Sequence, residues 1–127
     1  MIGVSAYLPI LNTPTRVDPK QIPDLWRQNV KLALDNFSTA LGEPIFISEI
    51  GYRNSADALY HSWESTSSAP ADQVEQAAAC DAVLTNIASD QHILGSFFWG
   101  WDDAGAFNLK GLQAVNVIHT HYKSLQA

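Results

Sequence analysis

Cysteine is nearly absent from this chain of 127 residues: Cys80 is the only one. A lone cysteine permits no internal disulfide, and this one falls in a helical pattern where a small apolar residue would serve, so the redox compartment stays open. Basic residues are also scarce. Seven Lys and Arg stand against 13 Asp and Glu, for a net charge of −6, and they form no run. A nucleic-acid partner or an anionic membrane surface is therefore not expected, and a neutral ligand suits the charge. No apolar stretch reaches bilayer-spanning length, and the N-terminus lacks the basic-then-apolar pattern of a signal peptide. No Gly-rich phosphate loop follows the first apolar run. Ser48 lacks the Gly-x-Ser-x-Gly elbow of a serine hydrolase. Among the four histidines, His61 and His92 are isolated, while His119 and His121 stand two apart on a helix and face different ways. No metal site and no cofactor is expected.

What the chain does have is the composition of one globular domain over residues 1–127, with 46% hydrophobic and 16% charged residues. Residues Ile2 to Leu8 alternate as a strand, with Gly3, Ser5 and Tyr7 on one small-residue face. A proline-punctuated loop leads to a helix from about Asp24. Its expected apolar stripe is Trp26, Val30, Ala33, Leu34, Phe37 and Leu41, and Gly42 stands at its C-cap. A second strand begins at Ile45. Next comes a long polar segment, Asn54 to Ala71, holding Tyr60, His61 and Trp63; a loop of that length is more often functional than idle. Asp72 and Glu75 form a capping-box pattern for a helix with Val74, Ala77, Cys80, Leu84 and Ile87 on its apolar face. A third strand, Ile93 to Trp99, runs into Gly100, Trp101, Asp102 and Asp103. The last helix carries Val115, Ile118, Tyr122 and Leu125.

The order is β-α-β-α-β-α in three units of roughly forty residues, the rhythm of parallel α/β folds. Its centre is Pro44-Ile45-Phe46-Ile47-Ser48-Glu49-Ile50-Gly51-Tyr52-Arg53. A carboxylate at the end of an apolar strand costs desolvation that partners must offset or function must justify. All three strands end in a residue able to do chemistry or hold a sugar: Tyr7, Glu49 and Trp99. That placement favours a (β/α)8 barrel, whose active site lies at the carboxyl ends of its strands, over a doubly wound sheet. A barrel needs five further units, expected before residue 1, since the chain opens in mid-strand. Alone, it would leave the first and third strands unpaired and open to self-association.

Residues Ile45 to Arg53 resemble the seventh-strand nucleophile segment of clan A glycoside hydrolases, and within them most of all glycoside hydrolase family 113, the β-mannanases, with their Glu-x-Gly-Tyr-Arg pattern. Ile2-Gly3-Val4-Ser5-Ala6-Tyr7 is similar to that family's sixth strand with its terminal Tyr. Phe97-Phe98-Trp99-Gly100-Trp101 resembles the eighth, and Asn108-Leu109-Lys110-Gly111-Leu112-Gln113-Ala114 the connector into the closing helix. The resemblance implies a retaining hydrolase of β-1,4-mannan or a related β-glycan. Glu49 would be the nucleophile, and strands six to eight of the barrel would be those present. The acid/base carboxylate, expected about 5–5.5 Å from the nucleophile, would stand at the end of a fourth strand. No residue here matches it: Glu43 lies at the wrong end of its strand, Glu64 in a loop and Glu75 in a helix. The chain alone should not turn over.

A nucleophilic carboxylate must be ionised, so a nearby hydrogen-bond donor is expected, and Tyr7 is placed to be it. Without the resemblance, Glu49 reads equally as a strand-end partner of Arg53. Trp99 offers an apolar plane for the C–H face of a sugar. Trp101 and, from the long loop, Trp63 are further candidates for substrate contact, with packing as the alternative for each. Tyr52 and Arg53 either touch substrate hydroxyls or fix the loop. Asp102 and Asp103 either bond sugar hydroxyls or open a turn. Two rival readings are a carbohydrate-binding remnant without catalysis and a self-contained α/β domain of unrelated function.

Overall fold

A computed structural model describes residues 1–101 and 105–126. Asp102 and Asp103 lie outside the described residues. Three parallel strands, β1 (Ile2–Ser5), β2 (Ile45–Ile50) and β3 (Ile93–Phe98), form one sheet in the order β1-β2-β3. Consecutive strands lie side by side, the order found along a barrel wall and within one half of a doubly wound sheet. The helical connections are α1 (Ile22–Trp26), a π-helical turn (Arg27–Lys31), α2 (Leu32–Leu41), α3 (Gln73–Ile87) and α4 (Gln113–Ser124).

One face of the sheet is packed and the other is open. Ile45, Ile47, Ile50 and Ile93 are buried in a single core with Trp26, Val30, Ala79 and Val83 from the helices. On the opposite face Phe46 and Phe97 meet with ring centroids 5.0 Å apart, and a Cβ on Gly95 would lie 2.8 Å from the Phe46 ring. Phe97 is 67% exposed. Parallel sheets are ordinarily covered on both faces, because their crossover helices are needed to shield them.

The first helical segment is buried at Ile22, Trp26, Val30, Leu34 and Ser38, every fourth residue. Ala33, Phe37 and Leu41, expected on the buried stripe, face solvent. The π turn supplies the reason: its wider i→i+5 winding rotates the stripe onto a strict four-residue spacing. Gly42 ends the segment in the left-handed conformation, φ 67°, which glycine adopts without a Cβ clash.

In α3, Ala77, Cys80 and Leu84 are buried as expected, whereas Val74 is exposed. This helix packs between α1 and α4, so its buried arc widens to Gln76, Ala79, Ala82 and Val83. In α4, Val115 and Ile118 pack on the core, but Tyr122 and Leu125 do not. Those two flank an apolar groove with Leu84, Ile87 and Leu94 beside the free side of β3.

Candidate active site at the strand ends

Strict alternation from Ile45 and Ile47 would turn Glu49 toward the helices. The sheet avoids this. Val4 pairs with Ile47 but Ser5 with Glu49, and on the other side Ile47 and Ile50 pair with Ser96 and Phe98. β2 thus holds one residue more than either neighbour between Ile47 and Ile50, the signature of a bulge that re-aims a side chain. Ile50 returns to the core at 0% exposure, and Glu49 is left half-buried at the carboxyl end. There the Tyr7 hydroxyl donates to Glu49 Oε1 at 2.7 Å. Burial first, and the bond to Glu49 second, push the Tyr7 hydroxyl well above the usual phenol range. Tyr7 therefore keeps its proton and acts as a donor throughout the neutral range.

The loops that follow the three strands are knitted together. Ser62 Oγ donates to the carbonyls of Tyr7 and Leu8 at 3.4 and 3.0 Å, and the Leu59 carbonyl accepts from the Ile10 and Leu11 amides. The Asn54 amide donates to Ala106 O and the Trp99 amide to Ile50 O. Gln76 Nε2, reaching from α3, donates to both Tyr52 O and Asn108 O at 3.0 Å. Asp72 caps α3 as expected, its carboxylate accepting from the Glu75 amide at 2.9 Å, but the Glu75 carboxylate, expected to complete a capping box, bonds instead to the backbone of Leu59 and Ala58.

Trp99, Trp101 and Trp63 are 53%, 58% and 54% exposed, which leaves each indole with surface to offer a ligand. Tyr52 and Arg53 do not fit substrate contact. Tyr52 is 1% exposed, and its hydroxyl accepts from Trp26 Nε1 at 2.9 Å inside the core. Arg53 is 0% exposed. Its Nη1 donates to the carbonyls of His61 and Glu64 at 2.5 and 2.7 Å, and its Nη2 to Asp57 O at 3.2 Å. Arg53 thus fastens the loop after β2, while Tyr52 is closed into the core against Trp26; adding chain cannot expose what is already enclosed. Nor does Glu49 pair with Arg53, whose ion-pair partner is Asp57.

Sequence reasoning missed Phe107, the residue just before the connector that begins at Asn108. Its ring meets Tyr7 edge-on, with centroids 6.0 Å apart, and stands 3.1 Å from where a Gly51 Cβ would be. Gly100, at φ 90°, lets the Phe107 backbone approach so closely that a Cβ there would be 2.4 Å from the Phe107 carbonyl oxygen. No spacing rule announces this contact, because it joins two loops. Among the described residues no group of three or more His, Cys, Asp or Glu is arranged to hold a metal.

No protein-family model and no curated protein matches the sequence. Solved structures do match. The GH113 β-mannanase of Alicyclobacillus acidocaldarius in complex with ManMIm superposes with a TM-score of 0.74 at 20% identity, over 98% of this chain and 39% of that one. A GH113 β-1,4-mannanase gives 0.71 at 20% identity over 97% and 39%, and a complex of a GH113 β-1,4-mannanase gives 0.69 at 19% over 97% and 39%. At such identities the likeness is one of fold, and the chain has the α/β fold of part of a GH113 β-mannanase, spanning 39% of the length of those chains.

Proposed function

We propose that this chain is part of a retaining glycoside hydrolase that cleaves β-1,4-mannan or a related β-glycan. It contributes the sixth to eighth βα units of a (β/α)8 barrel, with Glu49 as nucleophile. The observation that carries the reading is the 2.7 Å bond from Tyr7 to Glu49, set at the carboxyl ends of adjacent parallel strands in a fold shared with β-mannanases. A half-buried phenol that keeps its proton orients one carboxylate oxygen and leaves the other free to attack.

In such a reaction Glu49 attacks the anomeric carbon, the glycosidic C–O bond breaks, and a second carboxylic acid gives its proton to the departing oxygen. Water then cleaves the glycosyl ester, with that second group acting as base. No residue of this sequence matches the fourth-strand acid/base carboxylate that the resemblance implies, so turnover would require further barrel units. Trp99 and Trp101 at the end of β3, and Trp63 in the loop after β2, would stack on sugar rings. Without those units, the free sides of β1 and β3 would drive copies of the chain together.

A substrate whose leaving group needs no acid separates the nucleophile from its missing partner. With 2-deoxy-2-fluoromannosyl fluoride, the chain joined in frame to five preceding βα units should gain one glycosyl mass on the peptide containing Glu49. The Glu49→Gln form should gain none, and should lose mannan hydrolysis by 10³-fold or more, on the order of 4 kcal/mol of transition-state stabilisation. Labelling elsewhere, or undiminished hydrolysis in Glu49→Gln, overturns the assignment.

A further inference from the structure

The loop between β2 and α3 is long, polar and aromatic at its tip, yet it is fastened from below by one side chain. The Arg53 guanidinium is fully enclosed. It gathers the carbonyls of Asp57, His61 and Glu64, bonds Ser55 Oγ at 3.3 Å, and pairs with the Asp57 carboxylate at 3.2 Å. Asp57 in turn accepts from the hydroxyls of Ser55 and Ser67 at 2.6 and 2.7 Å. Burial pushes the Asp57 carboxyl up, but the bonds from Ser55, Ser67 and Arg53 outweigh it and hold the carboxyl below its ordinary value. Five donors in a rigid planar fork suit this task; a lysine ammonium could not span the same acceptors.

Above this anchor the loop carries a column of rings. Tyr60 and His61 stack with centroids 3.8 Å apart, and His61 meets Trp63 at 4.9 Å. His61 Nδ1 also lies 3.1 Å from Glu64 Oε1. Trp63 ends the column, more than half exposed. Its neighbour Ser62 is buried and bonded to the backbone of Tyr7, the residue that holds Glu49. Two of the three carbonyls that Arg53 grips, those of His61 and Glu64, flank Ser62 and Trp63.

We infer that Arg53 is a positioning residue: it holds this loop in the one shape that sets the Tyr60–His61–Trp63 column beside Tyr7, and so fixes where a sugar ring can stack on Trp63. The inference rests on the glycan-binding reading above, but concerns only residues within this chain.

Titration of the 127-residue chain with β-1,4-mannopentaose, read by tryptophan emission, tests it. Trp63→Phe assigns the signal, and hydrogen exchange of the amides of residues 54–64 reports the loop. Arg53→Lys should weaken binding tenfold or more in folded protein and speed exchange in 54–64, leaving exchange in β2 unchanged. Wild-type affinity in a folded Arg53→Lys variant overturns the inference. If that variant does not fold, Ser62→Ala decides the same point without touching a buried charge: a severalfold loss of affinity supports the inference, and an unchanged one overturns it. An absence of any mannopentaose response in the wild type overturns the stacking role of Trp63, whereas labelling of Glu49 stands or falls separately.

Discussion

Tyr52 and Trp26 illustrate how a polar atom is accommodated in this interior. Both are essentially without exposure, and each satisfies the other through the bond from the indole nitrogen to the phenol oxygen. Burial pushes the Tyr52 hydroxyl far above its usual range, so it remains a neutral group throughout the pH range of the fold. Tyr52→Phe would leave the Trp26 N–H buried without an acceptor, at a cost of about 1–3 kcal/mol. The expected outcome is a lower urea midpoint with an unchanged m-value, since the surface exposed on unfolding is the same. An unchanged midpoint would mean that the indole nitrogen finds another acceptor. The same logic separates Tyr52 from Tyr7: two tyrosines beside neighbouring strand ends, one closed into the core and one open toward Glu49.

At the scale of elements, the start of α3 couples helix formation to charge. Asp72 caps the helix through the Glu75 amide and pairs with Arg16 at 2.6 Å. Burial pushes its carboxyl up, but these partners outweigh that and hold it below the ordinary range. Asp90 is displaced in the same direction, where burial is outweighed by Lys31 and the backbone of His92 and Ile93. Glu75 is displaced the other way, raised first by burial and then by the neighbouring Asp72. A lowered carboxyl binds fewer protons in the folded chain than in the unfolded one, so its stabilisation is present above the unfolded pKa and is lost as pH falls through the folded one. Glu75 opposes this: its raised value favours the fold at low pH, and that contribution is lost as pH rises through it. With Asp57, Asp72 and Asp90 against one Glu75, acidification from pH 7 to pH 3 should lower the urea midpoint. Asp72→Asn keeps a cap but not the charge, so its midpoint should fall less over the same interval. An equal fall would remove Asp72 from the acid response.

The whole molecule is a two-layer piece with one face unshielded. Phe97 and the indoles of Trp99 and Trp101 are exposed on or beyond β3, and Leu94, Tyr122 and Leu125 are exposed around the groove on its flank. Exposed apolar surface of this kind marks an interface or an aggregation site. The isolated chain should therefore sediment as concentration-dependent oligomers from micromolar upward. Leu94→Lys, a charge placed on the free side of β3, should shift it toward monomer. A monomer at every concentration, unfolding cooperatively, would favour a self-contained domain over a barrel segment.

Much of this was legible in the sequence because it is local. The order of strands and helices, the Gly42 and Asp72 caps and the carboxylate at the end of β2 follow from apolar periodicity and from backbone chemistry that spans only a few residues. The residue pattern around Glu49 also carried the resemblance to β-mannanases, a likeness that the fold shares. What tertiary structure decided is of longer range. The extra residue in β2, visible only when both neighbouring strands are paired against it, takes Glu49 out of the core. The π turn moved the buried stripe of the first helical segment off Phe37 and Leu41. Arg53, three residues beyond the end of β2, left two readings open in sequence, substrate contact or fixing the loop. It is enclosed because the first part of the long loop, Asn54 to Glu64, closes over it and turns the carbonyls of Asp57, His61 and Glu64 inward, and only a folded chain can bring those acceptors to one point.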